Sequence, residues 1–423
     1  MRKAIAALPV VVLTALGLGL AGCSAGPQSN SGGANGGTVL KMSGWADDDV
    51  AAALIKKFEE DNPGVTIDYT GLPWPGITTQ INTELVSGTA SDIVVVFPGN
   101  GGPIAAQTLA KGNYLADLSS SEWVSKYNDA NKAVMGADGK ILMGANASTI
   151  IPAIYNSQAL KALGATAPST FSEVLALCGT AKAQGKVAYG LSAVAGGNYP
   201  YLPYALSASL VYGPTPDFVE QQTEGKATFA GSKWTTVLDK YRQMVDAGCF
   251  TKDATGTSLD VAQEQVAKGD AIGMVAVSPQ IKTIEGKAPA GTTFETAAFP
   301  ATDNKSETIL PVGLGAGLGV NAKSKNIDLA KKFVDLYLSE TGMKIALETS
   351  SLFPSAPVEG YTPPANLAGV AEHARSEKTF SFPDQTWPNA SVNQTYTEGL
   401  QAFIGGNSSA EDLLKQMDDA FKG

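Results

Sequence analysis

Residues 38–70, TVLKMSGWADDDVAAALIKKFEEDNPGVTIDYT, contain the pattern that decides the fold class of this chain. TVLKMSGW is typical of a strand that runs into a loop. Val50, Leu54 and Phe58 then recur every four residues, which predicts one apolar stripe along a helix. The turn-forming NPG ends this helix, and VTIDYT follows as a second short strand. The stretch therefore predicts a strand, a helix and another strand in succession.

The same alternation continues along the chain. ITTQINTELVSG reads as a helix, and it leads to SDIVVVF, an uninterrupted apolar run of the kind buried in parallel sheets. Repeated units of this kind build an α/β protein with parallel crossovers. Because such sheets bind ligands beyond the carboxyl ends of their strands, the pattern singles out the loops SGWADDD, FPGNGG and VSPQ.

The size and charge of the chain limit what it can do. Its 423 residues exceed one ordinary hydrophobic core and suit two lobes. A formal net charge of -10 disfavours nucleic acid and anionic membrane surfaces as partners. We therefore expect no nucleic-acid partner.

Residue types needed for catalysis or for holding a cofactor are scarce. His373, the only histidine, lies in GVAEHARSE, where we expect a solvated helix position. A single histidine leaves few ways to build a Ser-His-Asp catalytic triad, and no His/Cys cluster offers a metal site. The run VGLGAGLGV is not G-x-G-x-x-G opening a helix and reads as a strand with close backbone packing. We expect no cofactor, no metal and no enzyme activity.

The N-terminal residues have the pattern of a secretory signal. Arg2 and Lys3 precede an uncharged stretch, Ala4–Leu20, that is just shorter than the roughly 20 apolar residues a membrane span requires. Leu20-Ala21-Gly22-Cys23 resembles the bacterial lipobox, in which the cysteine is lipidated and becomes the mature N-terminus. This predicts a signal peptide at 1–22, lipidation of Cys23, a flexible tether at 23–37 and an extracytoplasmic protein anchored to the cell membrane.

The two remaining cysteines suggest a disulfide. Cys178 and Cys249 both fall late in predicted helices, and an even pair outside the cytoplasm favours a bridge. Sequence spacing does not show whether their Cα atoms lie within reach of each other. Two unconnected buried thiols remain the alternative.

Six stretches together resemble one protein family. In chain order they are LIKKFEEDNPGVTIDY, LVSGTASDIVVV, AIYNSQALKALGATAPSTFSEVLALCGTAKAQG, VAKGDAIGMVAVSPQI, GVNAKSKNIDLAKKFVDLYLSETG and SLFPSAP. The likeness is to extracytoplasmic solute-binding proteins of ABC importers, family 1, of the maltose-binding-protein type. Two positions depart from that pattern: Ser278-Pro279-Gln280 replaces a frequent Gly-Trp, and Thr170-Phe171 replaces a common Thr-Trp.

The resemblance implies a fold and a mechanism of ligand capture. It implies a two-lobed α/β protein, each lobe a mainly parallel sheet flanked by helices, with a ligand cleft at the hinge. We expect residues 38–148 and 293–340 to form the N-terminal lobe, and 149–292 and 341–423 the C-terminal lobe. The two lobes would close around the ligand by a hinge motion, and an ABC transporter permease would recognise the closed form. The protein is expected to act as a monomer.

The usual ligand of this family is a carbohydrate, which needs flat aromatics for its C–H faces and forked polar groups for its hydroxyls. The candidates for stacking are Trp45, Trp74, Tyr199, Tyr201, Tyr204 and Trp387. The candidates for binding hydroxyls are Asp47, Asp48, Asn100, Asn146, Asn198 and Gln280.

Several of these candidates also have a structural explanation. The aspartates before Val50 suit helix capping, and Asn100 suits a turn between glycines. Trp74 and Trp387 are loop aromatics that can simply cover a neighbouring lobe. Trp234 has apolar partners at helical spacing and is expected in the core rather than at a ligand.

The predicted ligand is a neutral sugar or oligosaccharide. The candidate loops contain no Arg or Lys, whereas an acidic or phosphorylated sugar would need a cation in the cleft. A polyol or an osmolyte is the alternative within the same class of protein. A surface-anchored glycoside hydrolase needs only two carboxylates and is a further alternative, as is a structural surface lipoprotein.

Overall fold

The strand–helix–strand unit predicted at residues 38–70 is present. β1 spans Thr38–Trp45, α1 spans Asp49–Asp61 and β2 spans Val65–Leu72, with Leu54 and Phe58 buried on α1. The computed structural model describes residues 37–46, 48–349, 351–376 and 378–423. The predicted signal peptide, Cys23, the tether up to residue 36 and Asp47 lie outside the described residues.

The remaining elements do not keep the predicted alternation along the whole chain: four strands follow one another between residues 136 and 156, and helices follow one another between residues 201 and 268. The other strands are β3 (Ile93–Val96), β4 (Gly136–Ala137), β5 (Lys140–Ile141), β6 (Ala147–Ile150), β7 (Ala153–Asn156), β8 (Val187–Tyr189), β9 (Ala271–Val275), β10 (Phe294–Ala297), β11 (Leu310–Leu314), β12 (Gly317–Val320), β13 (Phe353–Pro354) and β14 (Thr379–Phe380). The other helices are α2 (Gly76–Ser87), α3 (Ala106–Ala110), α4 (Asp129–Val134), α5 (Ser157–Ala162), α6 (Phe171–Ala183), α7 (Tyr201–Ser207), α8 (Phe218–Thr223), α9 (Trp234–Ala247), α10 (Leu259–Lys268), α11 (Gln280–Lys287), α12 (Ile327–Tyr337), α13 (Glu340–Thr349), α14 (Ala371–Arg375), α15 (Pro383–Thr386), α16 (Ala390–Ile404) and α17 (Ala410–Lys422). A π-helical turn at Ala208–Tyr212 follows α7, and 3₁₀ turns lie at Glu122–Lys126, Lys305–Glu307 and Ala365–Val370.

The first sheet has the strand order β12-β3-β1-β2. β1 runs parallel to β2 and to β3, whereas β12 is antiparallel to β3. Leu40, Phe58, Ile81 and Phe333 belong to the core packed on this sheet. The rings of Phe58 and Phe333 lie 5.2 Å apart, so α1 and α12 meet at that core. We call this sheet and its core the first lobe.

The second sheet has the strand order β10-β7-β9-β8. β8 is parallel to β9, while β7 is antiparallel to both β9 and β10, so this sheet is mixed where a mainly parallel one was predicted. The core beside it includes Tyr155, Tyr189 and the helical residues Trp234 and Tyr241, which confirms the core position predicted for Trp234. We call this sheet and its core the second lobe.

A third sheet, β13-β6-β11-β14, lies on the route between the other two. β6 is antiparallel to β11 and is followed after two residues by β7 of the second lobe. β11 is followed after two residues by β12 of the first lobe. The run VGLGAGLGV, predicted to be one strand, is divided between β11 and β12, which belong to different sheets. Its close backbone packing is confirmed, because a Cβ on Gly317 would overlap the Gly144 carbonyl.

The predicted lobe boundaries differ from the observed packing at two places. Residues 293–340 were assigned to the N-terminal lobe, but β10 pairs with β7 in the second sheet and buries Phe294 beside it. Residues after 340 were assigned to the C-terminal lobe, but α13 packs on α1 and buries Met343 in the first core. The chain therefore changes lobe later than predicted in both cases, because the apolar faces of β10 and α13 match these cores.

The predicted disulfide is confirmed. Cys178 in α6 and Cys249, two residues beyond α9, are bonded with their Cα atoms 4.7 Å apart. His373 lies in α14 and is partly exposed, as predicted. Within the described ranges, none of the helices combines the length and the apolar character needed to cross a bilayer.

Candidate ligand-binding cleft

A cleft of about 990 Å³ lies where the first and second lobes face each other. Its walls come from loops of both lobes, and part of its floor comes from the end of β11 and the start of β12. The volume falls at the upper end of the range found for small-molecule sites. The cleft is therefore the candidate functional site.

Three aromatic rings form the first-lobe wall, at the carboxyl ends of three strands. Trp45 is the last residue of β1, Trp74 lies two residues beyond β2, and Phe97 follows β3 directly. The ring of Trp45 lies 6.1 Å from that of Trp74 and 5.9 Å from that of Phe97. Trp74 is 50% exposed, so this cluster, which we call the aromatic wall, offers apolar surface to a ligand.

The aromatic wall also reaches towards the second lobe. A Cβ on Gly196 would lie only 2.8 Å from Nε1 of Trp74, so the indole rests against the backbone of the 195–197 loop. Glycine is required there for a second reason, because its φ of 79° lies in the left-handed region. Trp74 therefore closes one end of the cleft by contact across it.

Tyrosines and amides line the opposite wall. Tyr199, Tyr201 and Tyr204 all line the cleft, in agreement with their predicted position. Tyr204 is stacked on Tyr396, with ring centroids 5.3 Å apart. A tyrosine hydroxyl is neutral at ordinary pH and can both donate and accept a hydrogen bond, and burial raises the pKa of both Tyr199 and Tyr201 further, to about 12.

Three predicted polar residues also line the cleft. Asp48 is one of them. Its carboxylate also accepts a hydrogen bond from Ala51 N at 2.9 Å and so caps α1, which is the helix-capping role that the sequence offered as the alternative. Burial raises the pKa of Asp48. Gln280 begins α11, and Asn146 precedes β6 with its Nδ2 buried and without a hydrogen-bond partner.

The structure does not bring Asn100, Asn198 and Trp387 to the cleft surface. Asn100 is buried, donates to the Pro388 carbonyl and accepts from Thr108 Oγ1. Both ends of the Asn198 amide are used by backbone groups of the second lobe. Trp387 is buried in the second core, where its ring contacts Tyr204, Tyr396 and Phe229. Because each of these side chains packs in a core or bonds to the protein itself, the prediction that they bind ligand is corrected: they lie outside the cleft surface.

Sequence reasoning missed many of the residues that line the cleft, and three of them matter most for the site. Phe97 had a usable signal, since it ends the apolar run SDIVVVF at the carboxyl end of a parallel strand. Asp384 and Gln385 lie in the short helix α15 and had no comparable signal. Their position depends on contacts with β11 and with the loop after β3, which are distant in the sequence.

The cleft carries negative but no positive side chains in its described lining. Its carboxylates belong to Asp48, Asp384 and Glu398, and none of the lining residues is Lys, Arg or His. Near its edge, Lys282 of α11 and Asp49 of α1 form an exposed ion pair of 2.9 Å between the lobes. Such an exposed pair stabilises by only about 0–1 kcal/mol. A ligand in the cleft thus meets hydrogen-bond acceptors and neutral rings.

Among the residues that the structure describes, these carboxylates belong to no metal-binding group. Within the described part of the chain, no three His, Cys, Asp or Glu side chains are grouped so as to hold a metal ion. The arrangement can surround a small solute, stack on its apolar faces and bond its polar edges.

Two lobes, a connecting sheet and a cleft lined from both sides define the class of ligand-binding proteins that enclose a solute between lobes. The family model described as bacterial extracellular solute-binding protein matches residues 44–344. This chain belongs to that family. Its relatives are solute-binding proteins, so the chain is a binding protein rather than an enzyme.

Solved structures and a curated relative that are similar to this chain have names that fit the same family. A chitin oligosaccharide binding protein matches with a TM-score of 0.77 and 20% identity over 91% of this chain and 98% of that one. RafE in complex with raffinose matches with a TM-score of 0.74 and 17% identity, again over 91% and 98%. The multiple sugar-binding protein of Streptococcus mutans is 21% identical over 83% of this chain and 86% of its own length.

Proposed function

We propose that this protein captures a neutral sugar or oligosaccharide outside the cell and delivers it to the permease of an ABC importer. The observation that carries the proposal is the pairing of the aromatic wall with a facing wall of tyrosines and amides. A sugar has apolar C–H faces and hydroxyl edges, and these two surfaces suit the two walls. Relatives named for binding chitin oligosaccharide, raffinose and multiple sugars support the same class of ligand.

The absence of cations from the described cleft lining supports a ligand without anionic groups. A phosphorylated or acidic sugar would place its charge near the carboxylates of Asp48, Asp384 and Glu398. Such like-charge contacts oppose binding, and bidentate recognition of an anion requires an arginine. Hydroxyl groups, by contrast, donate to carboxylates.

Delivery requires that the two lobes close on the ligand. We place the hinge in the third sheet, where β6 leads into β7 and β11 leads into β12. The sugar shifts the protein to the closed arrangement that a permease would recognise only if it binds that arrangement better than the open one. A ligand touching both walls meets this condition.

The proposal includes membrane attachment through a lipidated Cys23 and action as a monomer. A single acyl chain gives marginal membrane binding and two chains give stable anchoring, so a lipidated N-terminus can hold the lobes near a permease. The segment between Cys23 and Thr38, if a flexible coil, averages roughly 20 Å end to end. Metabolic labelling with a fatty acid, compared between the wild type and Cys23→Ala, tests this part.

Isothermal titration calorimetry against a panel of solutes tests the ligand class. The panel contains raffinose, stachyose, maltotriose and chitotriose as neutral sugars, with sorbitol and glycine betaine for the polyol and osmolyte alternatives. We expect saturable binding of at least one sugar and a matching rise in melting temperature, since ligand stabilises by RT ln(1 + [L]/Kd). Binding of glycine betaine or sorbitol with no response to any sugar would contradict the proposal.

A further inference from the structure

The segment Phe382–Pro388 lies where the first lobe, the second lobe and the third sheet meet. Gln385 Nε2 donates to the Leu314 carbonyl of β11 at 3.0 Å. A Cβ on Gly99 would overlap the Gln385 backbone, so the loop after β3 is pressed against the segment. The neighbouring Trp387 is buried in the second core. A ligand bound to this segment therefore acts at the contact between the lobes.

Two oxygen acceptors of the segment lack a partner. Asp384 Oδ1 and Gln385 Oε1 are buried without a hydrogen bond, although both residues line the cleft. Gln385 is only 6% exposed. Buried acceptors without donors are rare because burial removes their water without replacing it. These two atoms therefore point to donors that a ligand supplies.

The surroundings restrict the chemistry of that ligand. An ionised carboxylate only accepts hydrogen bonds, and the lining residues that the structure describes include no Lys or Arg. Asn146, whose Nδ2 is also buried and unpartnered, adds one donor to the same cleft. Two acceptors and one donor in the same cleft match a ligand that carries several hydroxyls, each of which both donates and accepts.

We propose, resting on the carbohydrate function above, that Asp384 and Gln385 form an acceptor subsite for two hydroxyl groups of the captured sugar. The sugar enters while the lobes are apart, and closure then brings the loop after β3 over the bonded hydroxyls. Closure without a sugar leaves one oxygen of the carboxylate, Oδ1, covered and without a donor. The subsite thus ties lobe closure to occupancy of the cleft.

The subsite gives binding a pH dependence of defined sign. Burial raises the pKa of Asp384 to about 6, and hydrogen bonds from its own backbone and from Tyr204 partly offset this. Sugar hydroxyls bond to the ionised form and lower that pKa on binding. Affinity is therefore full above about pH 6 and falls below it. The titratable groups around Asp384 are the buried tyrosines 201, 204, 212 and 396, and the other cleft carboxylates are Asp48 and Glu398.

Asp384→Asn tests the subsite with little change in shape. We expect the affinity for raffinose or chitotriose to fall at least about tenfold at pH 7.5, because one acceptor becomes a donor. The fall in affinity below pH 6 should disappear in the same variant. Asp246→Asn, at an exposed position of α9, is the matched control and should bind and titrate as the wild type does.

The melting temperature without sugar separates a ligand subsite from a structural role. Because the Asp384 carboxylate is covered and incompletely bonded, Asp384→Asn should melt at the wild-type temperature or above it. A lower melting temperature would overturn the subsite.

Ligand binding separates this proposal from the carbohydrate function. If raffinose and chitotriose bind Asp384→Asn within twofold of the wild type, the subsite is wrong and the carbohydrate function stands. If the wild type binds glycine betaine and no sugar, both proposals fail, because glycine betaine has no hydroxyl to donate.

Discussion

At the scale of single residues, Trp45 is the side chain on which the proposed stacking depends most. It ends β1, and its ring lies among those of Trp74 and Phe97 beside the cleft. Its backbone carbonyl accepts a 2.6 Å hydrogen bond from Tyr69 Oη, which ties the end of β1 to β2. The backbone that carries the indole is thus part of the sheet rather than of a free loop.

Trp45→Ala should weaken sugar binding by about tenfold or more, which corresponds to about 1.4 kcal/mol per decade. The loss follows from removing a flat apolar face that a sugar ring covers. Trp45→Phe keeps an aromatic face and should retain most of the affinity. Calorimetry with the sugar that binds the wild type measures both variants, and unchanged affinity in Trp45→Ala would remove this residue from the site.

The outcome at single residues shows what sequence can and cannot predict. Trp45 was predictable because the rule that places ligands at the carboxyl ends of parallel strands needs only local pattern. Asn198 has the same amide chemistry as Asn146, yet the backbone of the second lobe uses its donors and its acceptor. Asp384 reaches the cleft through a segment nearly 300 residues from the loop it contacts, as the Asn100–Pro388 separation of 288 shows. No local pattern encodes such a contact.

At the scale of elements, the first sheet follows from its sequence better than the second. Each of β1, α1, β2, α2 and β3 has its own periodicity, and consecutive units of this kind pack in a parallel sheet. β10 carries no pattern that distinguishes pairing with β7 from a place in the first lobe. Its position depends on the buried Phe294 and on the edge that β7 presents.

The disulfide joins two helices of the second lobe and should stabilise that lobe. It closes a sequence separation of 71 residues between Cys178 inside α6 and Cys249 just beyond α9. Loss of such a bridge costs about 2–5 kcal/mol, and at about 2–4 °C per kcal/mol for a unit of 150–250 residues this lowers the melting temperature by roughly 4–20 °C. Cys178→Ala/Cys249→Ala, followed by circular dichroism, measures the effect.

Reduction of the wild type with dithiothreitol is the matched control for that double variant. The reduced wild type and the double variant should melt at similar temperatures. An oxidised wild type that melts no higher than the double variant would contradict a stabilising role for the bridge.

At the scale of the whole molecule, ligand binding is coupled to closure of the lobes because residues of both lobes line the cleft. The first lobe supplies the aromatic wall, and the second supplies the tyrosines and Gln280. Direct contacts also cross between them, such as Asn393 Nδ2 donating to the Gly101 carbonyl at 2.8 Å. A sugar that touches both walls adds its own contacts to these and so favours the closed arrangement.

The most direct test of a sugar bound against the aromatic wall is ¹⁹F NMR on protein labelled with 5-fluorotryptophan. The chain has five tryptophans, of which Trp45 and Trp74 line the cleft while Trp123 and Trp234 are buried in separate cores. Single Trp→Phe variants assign the resonances. Adding the sugar selected by calorimetry should shift the Trp45 and Trp74 signals and leave those of Trp123 and Trp234 in place. Saturable binding that leaves both cleft signals unmoved would contradict the account.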